Sequence, residues 1–490
     1  MINSIQHFEE FGIKKLGEVV ETFMKNPTDL ASLVYGIRDE VVALGLGILK
    51  ESLEECNHLI RGDRKRKEGW EIVKTDTKEL TTSLGAVTFE KTLFKHKETG
   101  EECYLLDRVL ELEKHGRLTE DAQARLLEEA VQSSYRRGGE AASLDDGAGV
   151  SKQTVKNKVH GLKFPPPLAP EEKKVVDFLY IDADEDHVPL QFKERKGDLV
   201  VGGNNWKNNC VLAKLVYVYE GIEPEAFKSD RFRLVNPYYF SGVYDGEANQ
   251  ELWEEVYQYV DSHYDLEKVE KVYLNGDGAA WIRAGESRVA GITFVLDGFH
   301  LGQCLNRMTS HLCDSAPDAR SELRAAIKDG TRADFDSVVE RVDDCTGTES
   351  GHRRVSGQAS YLRSNWTPAK LRLGGEESVV GCSAEGHVSH VLSSRMSSRP
   401  MGWSRNGADK MARLRAYYFN GRDMLELVRF QQRELPKVAG MEEVILSCTE
   451  VLRSEANKNY DLGKYSERMS HSIGGSIKKK LAMRSHIMGL

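Results

Sequence analysis

Apolar residues in the first sixty positions recur at helical spacing: Phe8, Phe11, Ile13 and Leu16, then Leu30, Leu33, Val34 and Ile37. That spacing predicts helices across residues 1–62. Around Trp70 the period changes to two. WEIVKTDTKELTTSLGAVTFEKTLFKHKETGEECYLLD alternates apolar with polar residues and carries a hairpin signal at Glu98-Thr-Gly, so a small antiparallel β unit is expected within 63–114. Helical spacing returns in TEDAQARLLEEAVQSS. A short helix, a turn with Gly147 and Gly149, and a second helix opening at Ser151 then resemble a helix-turn-helix within 115–164. Lys152, Lys156 and Lys158 would lie on or beside that second helix, and a plain helical hairpin with solvated lysines fits the same pattern. Pro165-Pro166-Pro167 marks a stiff linker.

Beyond the linker the pattern is that of an α/β protein. VVDFLYIDADEDHV is an apolar strand ending in acids, and VLAKLVYVYEG and FRLVNPYYFSGVY read as two further strands. NQELWEEVYQYVDSHY is an amphipathic helix, KVYLNGDGAAWI a strand running into Asp277, and ITFVLDGFH another strand ending in polar residues. The order β-β-β-α-β-(short α)-β is that of an RNase H-like core up to its fifth strand, placed at 172–300. Residues 301–374 are polar and helix-prone, which predicts a helical insertion. GCSAEGHVSHVLSSRMSSRP, within 375–400, reads as the core's final helix, with Glu385 in its first turn and Val388 and Leu392 on the same flank. Residues 401–490 read as a basic, mainly helical C-terminal region.

Composition changes this picture little. The chain has 490 residues, a net charge of -9 and eight cysteines without CxxC pairs or disulfide-style spacing. Its mean hydropathy is -0.49. No apolar run approaches the ~18 residues needed to span a bilayer, and MINSIQHFEEFGIKK offers no secretory leader. A cytoplasmic protein without a membrane partner is the expectation. The average charge hides an asymmetry, because Arg353 to the end holds 23 Lys/Arg against 13 Asp/Glu. A basic section on an acidic chain fits local DNA binding, since counterion release depends on the patch rather than the total. Solvated helix faces would give the same count.

The candidate chemistry lies in acids at strand and helix ends. Phosphoryl transfer on DNA needs a strong nucleophile and neutralised charge at the attacked phosphate, and two Mg²⁺ ions about 3.5–4 Å apart can supply both. Mg²⁺ favours a few carboxylates plus waters and substrate oxygens, and Mn²⁺ is an alternative. Asp184, Asp277 and Glu385 are placed by the inferred topology to converge on such a pair. The first position is crowded: Asp182, Asp184 and Asp186 share one strand face by the period of two, while Glu185 points away. Asp184 is favoured as nearest the strand's end, with Asp182 as runner-up. Asp297 and His300, ending the fifth strand, could orient a ligand, contact a phosphate or carry a proton. His387, His390 and Cys382 are too few for a zinc site. Among Trp206, Trp281, Trp366 and Trp403, only Trp366 is singled out as a base-stacking candidate.

Several of these segments together carry a family likeness. LYIDADEDHVPLQ, KLVYVYEG, VYLNGDGAAWI, DGFH and GCSAEGHVSHVLSSRMSSRPMGWSRNGADKMARLRAY resemble the ISLre-type bacterial insertion-sequence transposases, long regarded as an uncharacterised family. The DGFH step is more distantly similar to a signature of Mutator-like transposases. The resemblance implies a DDE transposase that binds the terminal inverted repeats of its element, cuts double-stranded DNA and joins 3′ ends to a target with Mg²⁺. It puts the catalytic and metal-holding trio at Asp184, Asp277 and Glu385, with Asp297 and His300 as accessories, and favours Asp184 over Asp182. Lys152, Lys156, Lys158, Arg395 and Arg399 are the expected DNA contacts, and pairing two ends implies a homo-oligomer on DNA. A non-catalytic DNA-binding relative and an RNase H-like nuclease that never joins strands remain as alternatives.

Overall fold

The computed structural model describes residues 3–112, 116–144, 149–191, 209–288, 291–380, 383–399 and 401–433. The chain divides into two compact units, one of Met1–Arg125, Glu140–Gly149 and Gln432–Leu490, the other of Leu126–Gly139 and Val150–Gln431. Residues 434–490, most of the basic C-terminal region, lie outside the described residues, as do Trp206, Cys382 and Gly147.

In the first unit, α1 (Asn3–His7), a π-helical turn, α2 (Ile13–Lys25) and the long α3 (Leu30–Gly62) realise the predicted helical region. Asp29 caps α3 by accepting from the Ser32 amide at 3.1 Å. A short α4 (Arg64–Gly69) extends the helices beyond the expected boundary at residue 62. The β unit is a three-stranded antiparallel sheet of β1 (Trp70–Thr81), β2 (Ala86–His96) and β3 (Glu102–Tyr104), closed by α5 (Leu105–Val109). Its second turn needs Gly100, whose φ of 73° only glycine adopts readily. Trp70, Leu80, Phe89, Phe94 and Leu106 form a core with Ile60 of α3. The helices α6 (Glu120–Gln132) and α7 (Tyr135–Ala141) are shared between the two units.

The second unit opens with α8 (Lys152–His160), capped by Ser151, whose Oγ accepts from the Thr154 amide. Its centre is a mixed five-stranded sheet in the order β10-β9-β4-β5-β8. The strands are β4 (Phe178–Pro189), β5 (Cys210–Tyr219), β8 (Tyr238–Gly242), β9 (Lys271–Gly276) and β10 (Ile292–Leu296). β5 runs antiparallel to β4 and β8, whereas β9 is parallel to β4 and to β10. A separate hairpin of β6 (Gly221–Pro224) and β7 (Phe232–Val235) stands between β5 and β8. The segment expected as one strand over 232–244 is therefore two. Asn236 breaks it with a φ of 50°, and Pro237 has no amide hydrogen for a ladder bond.

Alternation along β4 decides what each sheet face does. Leu179, Ile181 and Ala183 pack with Leu252, Trp253, Val256 and Val260 of α9 (Asn249–His263). Each large side chain buried there contributes about 1.5–3 kcal/mol. Tyr180, Asp182, Asp184 and Asp186 take the other face. A four-residue α10 (Ala280–Arg283) follows β9.

The predicted insertion is helical throughout: α11 (Gly298–Thr309), α12 (Ala316–Lys328), α13 (Arg332–Asp344), α14 (Glu349–Ser364) and α15 (Trp366–Gly374). They bury Leu305, Met308, Leu323, Ile327, Phe335, Val355 and Leu362 in a core of their own that reaches Leu296 of β10. Gly375, with a φ of 79°, ends α15. The chain then returns through α16 (Ala384–Val388), a π-helical turn over Ser389–Ser393, α17 (Ser394–Met396), α18 (Arg405–Phe419) and α19 (Met424–Arg433). Among the described residues, no helix is long and apolar enough to cross a membrane.

Candidate active site

Asp184 is not at the end of β4, which runs on to Pro189. It lies instead two residues past the end of the parallel pairing, whose last partners are Asp182 and Asn275. Beyond that point β4 keeps β5 as a neighbour and loses β9, so its β9-side edge opens just where β9 turns into Asp277. The end that matters is the end of the parallel pair rather than of the strand.

Asp277 follows β9 in a tight turn, accepting from the Ala279 amide at 2.8 Å. Gly278 has a φ of 83°, and a Cβ there would stand 2.7 Å from the Asn365 side chain. The loop is thus clamped from the insertion, where Tyr361 of α14 also donates its hydroxyl to the Asp277 carbonyl. Asp297 caps α11 by accepting from the amides of Phe299 and His300, and its Oδ2 lies 2.7 Å from His300 Nδ1. Burial raises the Asp297 carboxyl, but the bonds from His300 and the two amides outweigh it and hold it below the usual range. The bond from Asp297 raises His300, burial opposes this, and the charges of Asp297, Asp184 and Asp277 raise it further. Glu385 is exposed in the first turn of α16.

These groups feel one another. The Asp184 carboxyl is pushed up to about 7, first by burial and then by the charges of Asp277 and Glu385, against the Glu185 amide bond and His300. Four sequence-predicted residues therefore share one field: Asp184, Asp277, Glu385 and His300, with Asp297 holding the histidine. Among the described residues no three His, Cys, Asp or Glu side chains form a ready cage for one ion. Mg²⁺ does not require such a cage, because it keeps waters and binds through one or two carboxylates plus substrate oxygens. A half-buried carboxyl that feels the charge of two others is one whose ionised form a divalent cation would stabilise.

Asp182, the runner-up, has a different part. It is fully buried and accepts from the hydroxyls of Tyr217 (2.8 Å) and Tyr219 (3.1 Å), the Asn275 amide side chain (2.7 Å) and the Ser383 backbone amide (3.3 Å). It ties β5, β9 and the entry to α16 onto β4. Asp186, also buried, accepts from Ser397 at 2.9 Å. Glu185 turns to the opposite face near Lys214, as its odd position predicts.

Among the expected DNA contacts, Lys152 and Arg399 are exposed and Lys156 and Lys158 half-buried. Arg395 is a correction. It is 6% exposed, donates to the Ala130 carbonyl at 3.1 Å and lies over the Trp403 ring at 4.9 Å, so it is not available to phosphate. Trp281 and Trp403 are core residues, and half-buried Trp366 meets Phe335 edge-on at the insertion core. His387 is held by the Tyr239 hydroxyl at 2.9 Å and lowered to about 4 by burial and His390. Residues that the sequence did not single out are Asn275, Tyr361, Asn365 and Arg372. Only Asn275, two before Asp277 on an apolar strand, carried a signal.

Fold and site define a mixed α/β protein with an acidic centre at the open ends of parallel strands. The chain belongs to UPF0236, an uncharacterised protein family whose pattern matches residues 23–434. A UPF0236 protein of Caldanaerobacter subterraneus subsp. tengcongensis is 36% identical over 414 residues, covering 84% of this chain and 83% of the relative. Another from that organism is 34% identical over 415 residues, covering 84% and 83%, and its name joins eleven gene designations. The UPF0236 protein in the vanSb 3′ region of Streptococcus gallolyticus is 23% identical over 427 residues, covering 84% and 86%. Among solved structures, the Drosophila P element transposase strand transfer complex is similar at 10% identity, covering 73% of this chain and 87% of that one. Its TM-score of 0.21 is too low to bear on the fold.

The folded Asp184 value of about 7 lies above the ordinary 3.8. Ionised Asp184 therefore destabilises the fold fully above about pH 7, and the penalty fades as pH falls toward the unfolded value. Without divalent metal, Asp184→Asn should raise the melting temperature by about 4 °C or more at pH 8, and by nothing near pH 4. An unchanged melt at pH 8 would refute the burial argument. Arg395→Ala should cost about 2 kcal/mol or more of stability in denaturant unfolding, while DNA affinity per folded molecule stays within about twofold. A large affinity loss with unchanged stability would restore Arg395 as a DNA contact.

Proposed function

We propose that this chain is a DDE-type DNA transposase, which binds the ends of its element and cuts and joins phosphodiesters with Mg²⁺ or Mn²⁺. The observation that carries the reading is the shared field of Asp184, Asp277 and Glu385 beside the open end of the parallel strands. Two further features support it. The sheet, with three antiparallel strands followed by two parallel ones in the order β8-β5-β4-β9-β10, is the arrangement expected of an RNase H-like core. Eleven gene designations on one relative's name are the multiplicity expected of a sequence that copies itself within a genome.

In this reading Asp184, Asp277 and Glu385 hold the metal, and Asp182 does not, because its oxygens already serve four donors from the protein. When bound, divalent ions make an attacking oxygen a strong nucleophile and neutralise charge on the phosphate. The residues of the chain do the placing. Asp297 fixes His300 through Nδ1, which leaves Nε2 to donate to a phosphate oxygen or to hold a proton. The raised Asp184 carboxyl lowers the negative charge of the metal-free site as pH falls through neutral. α8, with Lys152, Lys156 and Lys158, would contact phosphate near the ends, and Arg399 would serve the same purpose beyond α17.

The test uses double-stranded DNA carrying the inverted repeats that flank the gene. Asp277→Asn should bind this DNA with wild-type affinity and lose cleavage by about 10³-fold or more in Mg²⁺, scored by gel shift and by strand-cleavage products. Retained cleavage in that variant removes Asp277 from the site. Cleavage without joined products in the wild type would make the chain a nuclease instead.

A further inference from the structure

Arg372 lies near the end of α15, half-buried, and its guanidinium bonds three separate segments. Nε donates to the Leu296 carbonyl at 2.9 Å, Nη1 to the Val380 carbonyl at 2.5 Å, and Nη2 to Asn275 Oδ1 at 2.6 Å. Each acceptor sits just before a residue of the acidic site. Leu296 precedes Asp297, Asn275 stands two before Asp277, and Val380 stands five before Glu385. Asn275 is 1% exposed and passes the connection on, its Nδ2 donating to Asp182. Asp182 in turn accepts from Ser383, two residues before Glu385. One planar cation is thus bonded at the ends of β9 and β10 and at Val380, ahead of α16.

Guanidinium chemistry suits this position. Its donors leave a rigid plane in several fixed directions, so one side chain can hold three acceptors at set separations. A lysine ammonium is a single point on a flexible stem and cannot reproduce those separations. Ser378 has further ties, since the Tyr180 hydroxyl donates to its carbonyl and the Tyr273 hydroxyl bonds its side chain. Of these ties, the guanidinium alone reaches the β9, β10 and Val380 backbones or side chains together.

We propose that Arg372 is a positioning residue that sets the separation between the loop bearing Asp277 and the helix bearing Glu385, without touching the substrate. The proposal rests on the transposase reading for the purpose of that separation, while its measurement does not depend on DNA chemistry. Full-length wild type, Arg372→Ala, Arg372→Lys and Asp277→Asn are compared for Mn²⁺ affinity by electron paramagnetic resonance. Metal-free binding to end-bearing DNA, circular dichroism, and cleavage across a Mn²⁺ titration complete the set. Both arginine variants should keep the wild-type spectrum and bind DNA within about twofold. Their Mn²⁺ affinity should fall about 10–100-fold, with cleavage at limiting Mn²⁺ falling alongside. Methylguanidinium should restore part of the Mn²⁺ affinity to Arg372→Ala and none to Asp277→Asn.

Wild-type Mn²⁺ affinity in either arginine variant overturns the proposal. Unfolding of both variants also overturns it, because Arg372 would then be a prop for the whole sheet. If the arginine variants lose Mn²⁺ while not even the wild type cuts DNA, the positioning role stands and the transposase reading falls. A wild type whose Mn²⁺ binding is indifferent to Asp277→Asn overturns both.

Discussion

The buried carboxyl of Asp182 is the interaction on which the rest of the second unit depends. Taking a carboxyl out of water is unfavourable by several kcal/mol unless donors replace the lost hydration. Here the donors come from two tyrosines of β5, an asparagine of β9 and the backbone just ahead of α16. Those segments are far apart in sequence, and the acid is satisfied only when all have arrived. The penalty for an incomplete set is what makes the arrangement specific. A hydrophobic residue at 182 could fill the same volume, but it would tolerate sliding of α16 along the strand. Four directed bonds do not.

Asp184, two residues on, is the opposite case. It has the same face of β4 but is only half-buried, accepts from the Glu185 amide, and feels the charges of Asp277 and Glu385. The fold therefore directs its hydrogen-bond donors to Asp182, which ties the segments together, and leaves Asp184 with few. Active sites commonly show this imbalance, because a carboxyl already satisfied by the protein has little left for a metal or substrate. The pair also separates two roles that the strand's period of two cannot. Both residues point the same way, and the difference lies in what the other strands bring to meet them.

That limit explains what could and could not be seen in the residues alone. Alternation along β4 gave its two faces, and the succession of strand and helix patterns gave the order of elements and the helical insertion. Asp277 and Asp297 stood out just past apolar strands, His300 three residues beyond the second, and Glu385 in the first turn of an amphipathic helix. Burial of Arg395 was not legible, since a basic residue on a short helix looks the same whether it faces water or the Ala130 carbonyl. Nor was the break at Asn236-Pro237 read as such, although proline in a strand pattern is the available warning. Arg372 carried no local signal, because its partners at 275, 296 and 380 are defined only by the folded sheet.

The insertion's attachment follows the same logic. Its helices bury a core of their own, joined to the sheet's last strand through Leu296, so its stability is largely internal. Its ties to the acidic site are polar and few: the Tyr361 hydroxyl on the Asp277 carbonyl, Asn365 against Gly278, and the Arg372 fork. Apolar packing is strong but weakly directional, whereas a hydrogen bond weakens steeply when its angle is lost. A domain held to the site by directed bonds can fix positions there without adding bulk. It also lies between β10 and α16 in the chain, and its folding shortens the span that the last acid must cross to reach the sheet. The Arg372 fork then links the end of α15 to Asn275, Leu296 and Val380, which gives a physical reason for a helical region to stand between the fifth strand and Glu385 rather than at either terminus.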